Sequence, residues 1–318
     1  MEKITAIVVT YNRADQLMEC LAAIRRQTLV PTELVIIDNH STSETYRNLL
    51  KGGYIETSPA ENPAENQILV SALTSHADPG KEISVIYVRK AVNDGGAGGF
   101  YEGMKQAYER GADWLWMMDD DGVPANNQLE ILLQQSLNNN LQFSNALVIS
   151  IDDSDLLAFG LKGSNVTSEV TSKEILHGVA AAFNGTFLSR NVIDSVGFIK
   201  KEMFIWGDET EYTNRVRKNN FAIATITTAL HKHPVMKGKK ANVFAFTNKF
   251  QVVVKPKHFS HFYYRNLGYN TNTYASKKAV VALWMLYSSY FIRNGDFKEF
   301  FKFCRYFKDG IIDNYSRK

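Results

Sequence analysis

Three consecutive carboxylates, Asp119, Asp120 and Asp121, follow the apolar run WLWMM at 114–118. Acid density of that kind at the end of a buried strand is unfavourable unless a cation offsets it. Alternation along an extended segment puts Asp119 and Asp121 on one side. Two converging carboxylates suit a hard divalent ion, Mg²⁺ or Mn²⁺, that also holds phosphate oxygens. A second acidic group, Asp208, Glu209 and Glu211, stands in FIWGDETEY where a helix is expected to begin. The helix dipole alone would stabilise acids there. A carboxylate held beside a cleft can equally act as a general base. Trp206 and Gly207, just upstream, offer an aromatic face of the kind sugar rings use. In NDGGAGG, Gly95, Gly96, Gly98 and Gly99 let backbone N–H groups approach an anion closely. The string matches neither a P-loop nor a full G-x-G-x-x-G. His231 closes the β-like run FAIATITTAL. A neutral imidazole there is a metal ligand or a structural histidine.

The elements that must position these groups follow from the apolar pattern. ITAIVV (4–9), ELVIID (33–38), ISVIYV (83–88) and WLWMM are continuous apolar strands, each closed by polar turn residues. Leu17, Cys20, Leu21 and Ile24 recur at helical spacing, as do Leu129, Leu132, Leu133 and Leu137. Strand, turn and helix repeating in this way predict an α/β fold, a mostly parallel sheet flanked by helices. Ligands in such sheets bind at the carboxyl ends of the strands. Residues 10–13, Asp38, 93–99 and 119–121 all fall there. The polar stretch 51–81 reads as an insertion with a helix near 65–75. A clear helix is expected over 208–218, and a helical C-terminal region from about 275.

Composition narrows the function classes. The 318 residues are 45% hydrophobic and 22% charged, which excludes a disordered, collagenous or coiled-coil chain. The formal net charge of +3 conceals a split. Residues 231–278 hold ten Lys/Arg and no Asp or Glu, and 293–318 hold seven against four. The last 88 residues therefore carry +13 and the first 230 carry −10. A polarised chain of this sort points to a polarised set of partners. Cys20 and Cys304 form no disulfide framework or zinc spacing, so a reducing compartment is expected. The opening apolar run is too short for a signal peptide. The uncharged stretch 279–292 falls short of the roughly 20 apolar residues a spanning helix needs.

In their order along the chain, IVVTYNR, VIIDNHST, the glycine string, the strand-end acids, WGDETE and a histidine resemble the family 2 glycosyltransferases with the GT-A fold. The likeness covers roughly residues 3–266. NDGGAGGFYEGM, WLWMMDDDGVP and MFIWGDETEY look most like the galactofuranosyl- and rhamnosyltransferase branch. YYRN (263–266) is similar to a Tyr-Tyr…Arg-Asn element found there after the catalytic domain. The resemblance implies that Thr10, Asn12, Arg13 and Asp38 hold the donor's uridine and ribose. It implies that Asn93 and glycines 95–99 line the nucleotide-sugar pocket and that Asp120 lies close to the donor sugar. Asp119 and Asp121 would bind Mn²⁺ or Mg²⁺, with His231 completing the shell. The base of this motif is usually its second acid, which is Glu209 here in place of an aspartate. That departure makes Asp208 the rival base, and Glu211 would orient the acceptor. Trp206 would face the sugar.

Chemistry and resemblance agree on an inverting, metal-dependent sugar transferase. A divalent ion would stabilise the nucleotide-diphosphate leaving group, and the base would deprotonate the attacking hydroxyl. A single displacement inverts the anomeric centre, and no separate carboxylate stands out as the nucleophile of a double displacement. UDP-galactofuranose is the expected donor, with rhamnosyl or galactosyl transfer as the alternative. The acceptor would be a lipid-linked or polysaccharide glycan of a bacterial-type surface polysaccharide. Residues 1–230 would form the catalytic domain. Residues 231–318, basic and aromatic, would dock on an anionic membrane or a second copy. That places the protein in the cytoplasm, peripheral on the inner face of the cell membrane. A non-catalytic nucleotide- or carbohydrate-binding module is the competing class, disfavoured by the Asp/Glu/Glu cluster. A nucleic-acid role is disfavoured by the acidic body and the lack of a groove-reading motif.

Overall fold

The computed structural model describes residues 2–235, 238, 240–244 and 247–317. The apolar runs form strands where the pattern predicts them: β1 (Ile4–Thr10), β2 (Glu33–Asp38), β4 (Glu82–Arg89) and β5 (Trp114–Asp119). Between them lie α1 (Ala14–Arg25), α2 (Ser43–Lys51) and α3 (Gly95–Glu109). The insertion departs from expectation. Residues 67–74 are not helical but form β3 (Gln67–Thr74), an edge strand antiparallel to β4. Its burial alternates residue by residue, leaving Ile68 and Val70 exposed. One wet face and one covered face is the signature of an edge strand.

Downstream come β6 (Val123–Pro124), α4 (Gln128–Asn138), β7 (Phe143–Ser150), β8 (Leu156–Leu161), β9 (Ser164–Val166), α5 (Thr167–Val170) and β10 (Ile175–His177). They are followed by β11 (Thr186–Ser189), α6 (Arg190–Val196), α7 (Asp208–Lys218) and β12 (Ile223–His233). The main sheet runs β10-β12-β7-β11-β5-β1-β2-β4-β3. Pairs β4–β2, β2–β1, β1–β5 and β7–β12 are parallel, and β11 lies antiparallel between β5 and β7. Strands β1, β2 and β7 are buried along their whole length, as both-face coverage by helices requires. Helix α1 buries Leu17, Cys20, Leu21 and Ile24 in the resulting core, the set its spacing predicts. Helix α3 seats on β1 through glycines. A Cβ at Gly99 would lie 2.4 Å from Val9 Cγ1, and one at Gly103 2.4 Å from Ile7 Cγ2.

The chain divides into two compact units, residues 1–201 with 215–236, and residues 202–214 with 237–318. The segment 202–214, which the sequence reading assigned to the catalytic domain, thus clusters with the C-terminal residues. That second unit holds the hairpin β13 (Lys240–Phe244) and β14 (Thr247–Val253), then α8 (Ser260–Tyr274), α9 (Lys277–Arg293) and α10 (Phe297–Ile311). Helix therefore begins at Ser260, earlier than the 275 expected. Val243, Val252, Tyr264, Tyr287, Phe291, Phe303 and Phe307 form its core. Helices α8 and α10 touch backbone to backbone, because a Cβ at Gly268 would lie 2.2 Å from Phe307 O and one at Gly310 1.9 Å from Arg265 O.

Candidate active site

The carboxyl ends of β1, β2, β5 and β12 carry the candidate residues of the first unit. Asp119, Asp121 and His233 each bring a ligand atom into one cluster, all within 4.8 Å of one another. Among the described residues it is the one such grouping of three or more His, Cys, Asp or Glu side chains. His233 Nε2 is 3.0 Å from Asp121 Oδ1 and pairs with it when the ring is protonated; that buried oxygen has no further hydrogen-bond partner. His233 Nδ1 lies 2.7 Å from the Pro234 carbonyl and donates to it, so a neutral ring would carry its lone pair on Nε2. Adjacent ligands of an octahedral ion with bonds of about 2.1 Å sit about 3 Å apart. A buried carboxylate oxygen whose one neighbour is an oriented imidazole nitrogen at that spacing fits a divalent cation.

The histidine that joins the two acids in this grouping is His233, and the expected His231 lies outside it. His231 is fully buried beneath the acidic turn, with Nδ1 3.2 Å from Gln128 Oε1. A Cβ at Gly122 would lie 2.1 Å from His231 Nε2, so only glycine fits above it. Burial and the neighbouring His233 hold the His231 pKa down to about 3, and the ring is neutral.

Electrostatics marks the acids out. Burial, then Asp121 and Asp120, push the Asp119 pKa up to about 8. Burial raises Asp120 to about 6, against the pull of its Thr10 hydrogen bond and Arg13. Asp121 is instead held below the usual carboxylate range: burial opposes this, and His233 and Arg13 outweigh it. Thr10 Oγ1 donates to Asp120 Oδ2 at 2.7 Å. Arg13 Nη1 bridges Asp120 Oδ1 at 3.1 Å and Asp121 Oδ2 at 2.6 Å. Asp120, Thr10 and Arg13 are thus one network with Asp121.

Asp38 is fully buried. It accepts from Tyr87 Oη (2.6 Å), Arg89 Nη1 (2.8 Å) and the Ser41 N–H (2.8 Å). Asn12, at φ 55°, accepts the Thr42 N–H on its Oδ1 at 2.7 Å and donates its own N–H to Ser41 Oγ. The end of β1 is thereby tied to the turn after β2. Asn39, which the sequence reading passed over, joins that turn to the glycine string: its Nδ2 donates to Asn93 Oδ1 (3.0 Å) and Gly95 O (2.8 Å). Lys90, also missed, is buried and bonded to Asp94 and to the Gly98 carbonyl. The glycines differ in purpose. Gly95 takes φ 78° at the start of α3. Gly98 and Gly99 accommodate close neighbours, the Asp94 carboxylate and Val9, whereas Gly96 faces open space. The expected glycine turn is the first turn of a helix.

In the second unit, Asp208 and Glu211 are buried, and Glu209 is partly exposed. Glu209 Oε2 accepts the Gly207 N–H at 2.9 Å, and Glu211 Oε1 accepts the Tyr274 hydroxyl at 2.8 Å. Lys255 Nζ lies 4.4 Å from the centre of the Trp206 ring.

Residues 5–52 and 66–197 match the profile of Glycosyl transferase family 2. The chain belongs to glycosyl transferase family 2. As a family 2 glycosyltransferase it is an enzyme, and the binding-module alternative falls. It is 29% identical over 313 residues to galactofuranosyltransferase GlfT1 of Mycolicibacterium smegmatis, covering 92% of this chain and 90% of that one. The GlfT1 of Mycobacterium tuberculosis is also 29% identical, over 301 residues, with 92% and 89% covered. Among solved structures, residues 1–349 of S. aureus TarS superimpose with a TM-score of 0.55 at 14% identity, covering 100% of this chain and 93% of that one. The same protein in complex with UDP gives 0.53 at 14% identity, covering 100% and 93%. The expected GT-A fold is therefore present in this family 2 glycosyltransferase.

Proposed function

We propose that this glycosyltransferase moves galactofuranose from UDP-galactofuranose onto a hydroxyl of a lipid-linked or polysaccharide acceptor, with inversion. The observation that carries the chemistry is the Asp119, Asp121 and His233 cluster, whose ligand atoms lie within 4.8 Å of one another. The donor sugar is supported by the galactofuranosyltransferase relatives, matched over 92% of the chain. Mn²⁺ or Mg²⁺ bound there would supply positive charge to the diphosphate leaving group. Arg13, Thr10 and Asp120 hold the acids that carry it. Asn12, Asn93, Asp38 and the open backbone face at Gly96 supply the nucleoside and sugar contacts. Glu209 takes the acceptor proton. It is the partly exposed carboxylate of its group, whereas Asp208 and Glu211 are buried. Glu211, fixed by Tyr274, stiffens the first turn of α7. Trp206 faces a sugar ring.

The test is a screen of UDP-galactofuranose, UDP-galactose and dTDP- or UDP-rhamnose in a transfer assay with and without EDTA. Turnover with UDP-galactofuranose should vanish in EDTA and return with Mn²⁺ or Mg²⁺. Preference for a rhamnose or galactose donor would replace the donor assignment. Glu209→Gln should remove turnover and spare UDP binding. If Asp208→Asn does this instead, the base moves to residue 208.

The acceptor reading extends to the surface it sits on. Among the described residues no helix is long and apolar enough to cross a membrane. Yet Val281, Trp284, Met285 and Ile292 of α9, and Phe297 and Phe301 of α10, are exposed. The exposed charges on these two helices, Lys277, Lys278, Arg293, Lys298, Arg305 and Lys308, are all basic. Exposed apolar groups among basic ones suit an anionic bilayer on the cytoplasmic side. Flotation on liposomes containing anionic lipid should carry the protein up, and Trp284→Ser with Phe301→Ser should stop it. Dimerisation lost in the same double variant, with no flotation of the parent, would assign the face to a second copy.

A further inference from the structure

The turn that carries the proposed base has an unusual backbone. Phe204 and Trp206 lie at φ 65° and 61°, and Gly207 at 108°. Bulky aromatic residues keep the left-handed region only where surrounding groups over-determine it. One ridge of α8 does this. Asn266, Asn270 and Tyr274 are four residues apart and share a helix face. Asn266 is fully buried and donates its side-chain amide to the carbonyls of Met203 (2.8 Å), Ile205 (3.0 Å) and Trp206 (3.0 Å). Asn270 donates to the Gly207 carbonyl at 2.8 Å. Four of the five carbonyls from 203 to 207 are thus gripped by two side chains. A Cβ at Gly207 would lie 3.2 Å from Asn270 Nδ2 and 3.3 Å from Asn266 Cβ, so the loop is pressed against the ridge.

The grip is itself held. Asn266 Oδ1 accepts the Tyr315 hydroxyl at 3.2 Å. With its oxygen so engaged, the amide presents its nitrogen to the loop. Tyr315 belongs to the segment 312–317, which folds back on α8. Arg265 Nη1 donates to the Arg317 carbonyl at 2.6 Å, and the Arg265 guanidinium lies 4.5 Å from the Tyr315 ring centre. Arg317 Nε is 3.3 Å from Asp309 Oδ2 of α10. Nothing in the chemistry assigned so far uses these contacts.

We propose that Asn266, Asn270 and Tyr315 are positioning residues for the base. The α8 ridge sets the course of the 203–207 backbone, and Tyr315 sets the ridge. Because the Glu209 carboxylate is bonded to the Gly207 N–H, loop and carboxylate move together. This inference rests on assigning the base to residue 208 or 209.

The test is a kinetic comparison in the full chain. Tyr315→Phe removes one hydroxyl and keeps the ring under Arg265. It should lower kcat for transfer about tenfold, and Asn270→Ala about as much, with UDP affinity and donor KM within about twofold of the parent. In the background of whichever variant, Glu209→Gln or Asp208→Asn, removes the base, Tyr315→Phe should change the residual rate less than about twofold. An unchanged kcat in Tyr315→Phe and Asn270→Ala overturns the proposal. So does a tenfold loss that persists without the base, or one that tracks a fall in UDP affinity. Full turnover in both Asp208→Asn and Glu209→Gln would sink the base assignment itself, and this proposal with it.

Discussion

The acidic cluster makes metal binding a proton-coupled event, and its size follows from the burial of Asp119. The perturbation is pH. With the Asp119 pKa near 8 in the metal-free protein, about one molecule in ten carries that charge at pH 7. A divalent ion needs the charged form, so binding at pH 7 expels about 0.9 proton from Asp119. His233, raised above its ordinary value chiefly by Asp121, must also lose its proton to offer Nε2. The sign is then fixed: affinity rises with pH. The Kd for Mn²⁺ should be about tenfold weaker at pH 7 than on a plateau reached above about pH 9, with a further loss as His233 takes up its proton. Calorimetric titration of Mn²⁺ in two buffers of different ionisation enthalpy counts the protons. A Kd that is flat from pH 6.5 to 8.5, with no proton release at pH 7, would refute the reasoning.

Other outcomes follow from single contacts. His233→Ala should weaken Mn²⁺ binding more than about tenfold. His231→Ala should leave Mn²⁺ affinity in place and lower stability by about 1–3 kcal/mol in denaturant titration, since it empties a buried site under Gly122. Arg89→Met leaves the buried Asp38 carboxylate without its 2.8 Å partner; chemical denaturation should register a loss of about 3–5 kcal/mol, largely restored by adding Asp38→Asn. Gly99→Ala drives a methyl to 2.4 Å from Val9 and should destabilise by about 1–3 kcal/mol. Gly96→Ala meets nothing within 4 Å, so its melting temperature should hold while UDP affinity measured by titration falls.

What was legible in the sequence divides along physical lines. Strands buried on both faces read directly, because β1, β2 and β5 are unbroken apolar runs. Strand β3 did not, because QILVSALT shows its two-residue period only against a neighbour that covers one face. Helix α8 was hidden by residues of modest helix propensity, SHFYYRNLGYNTNTY, and its helicity comes from tertiary packing at Gly268 and Gly310. In the site, the acids and the strand that carries the histidine were readable. Which histidine stands with the acids was not: 231 and 233 share a face of β12, and pairing places 231 opposite Val148 and 233 opposite Ser150. The two sit about 6.6 Å apart along the strand, one beneath the acidic turn and one beside it. The role of Asn39 comes from contacts 54 and 56 residues away along the chain, which no local pattern encodes.

The strand order also dictates when the chemistry can exist during synthesis. Strands β1, β2, β4 and β5 are neighbours and are complete by residue 119. His233 arrives only with β12, which reaches β5 through β7 and β11. At about 5–20 residues per second, the ribosome takes several seconds more to deliver it. For that interval the nascent chain has its acids and lacks the imidazole of the Asp119, Asp121 and His233 grouping. In the proposed reaction, donor turnover would then have to wait at least for β12.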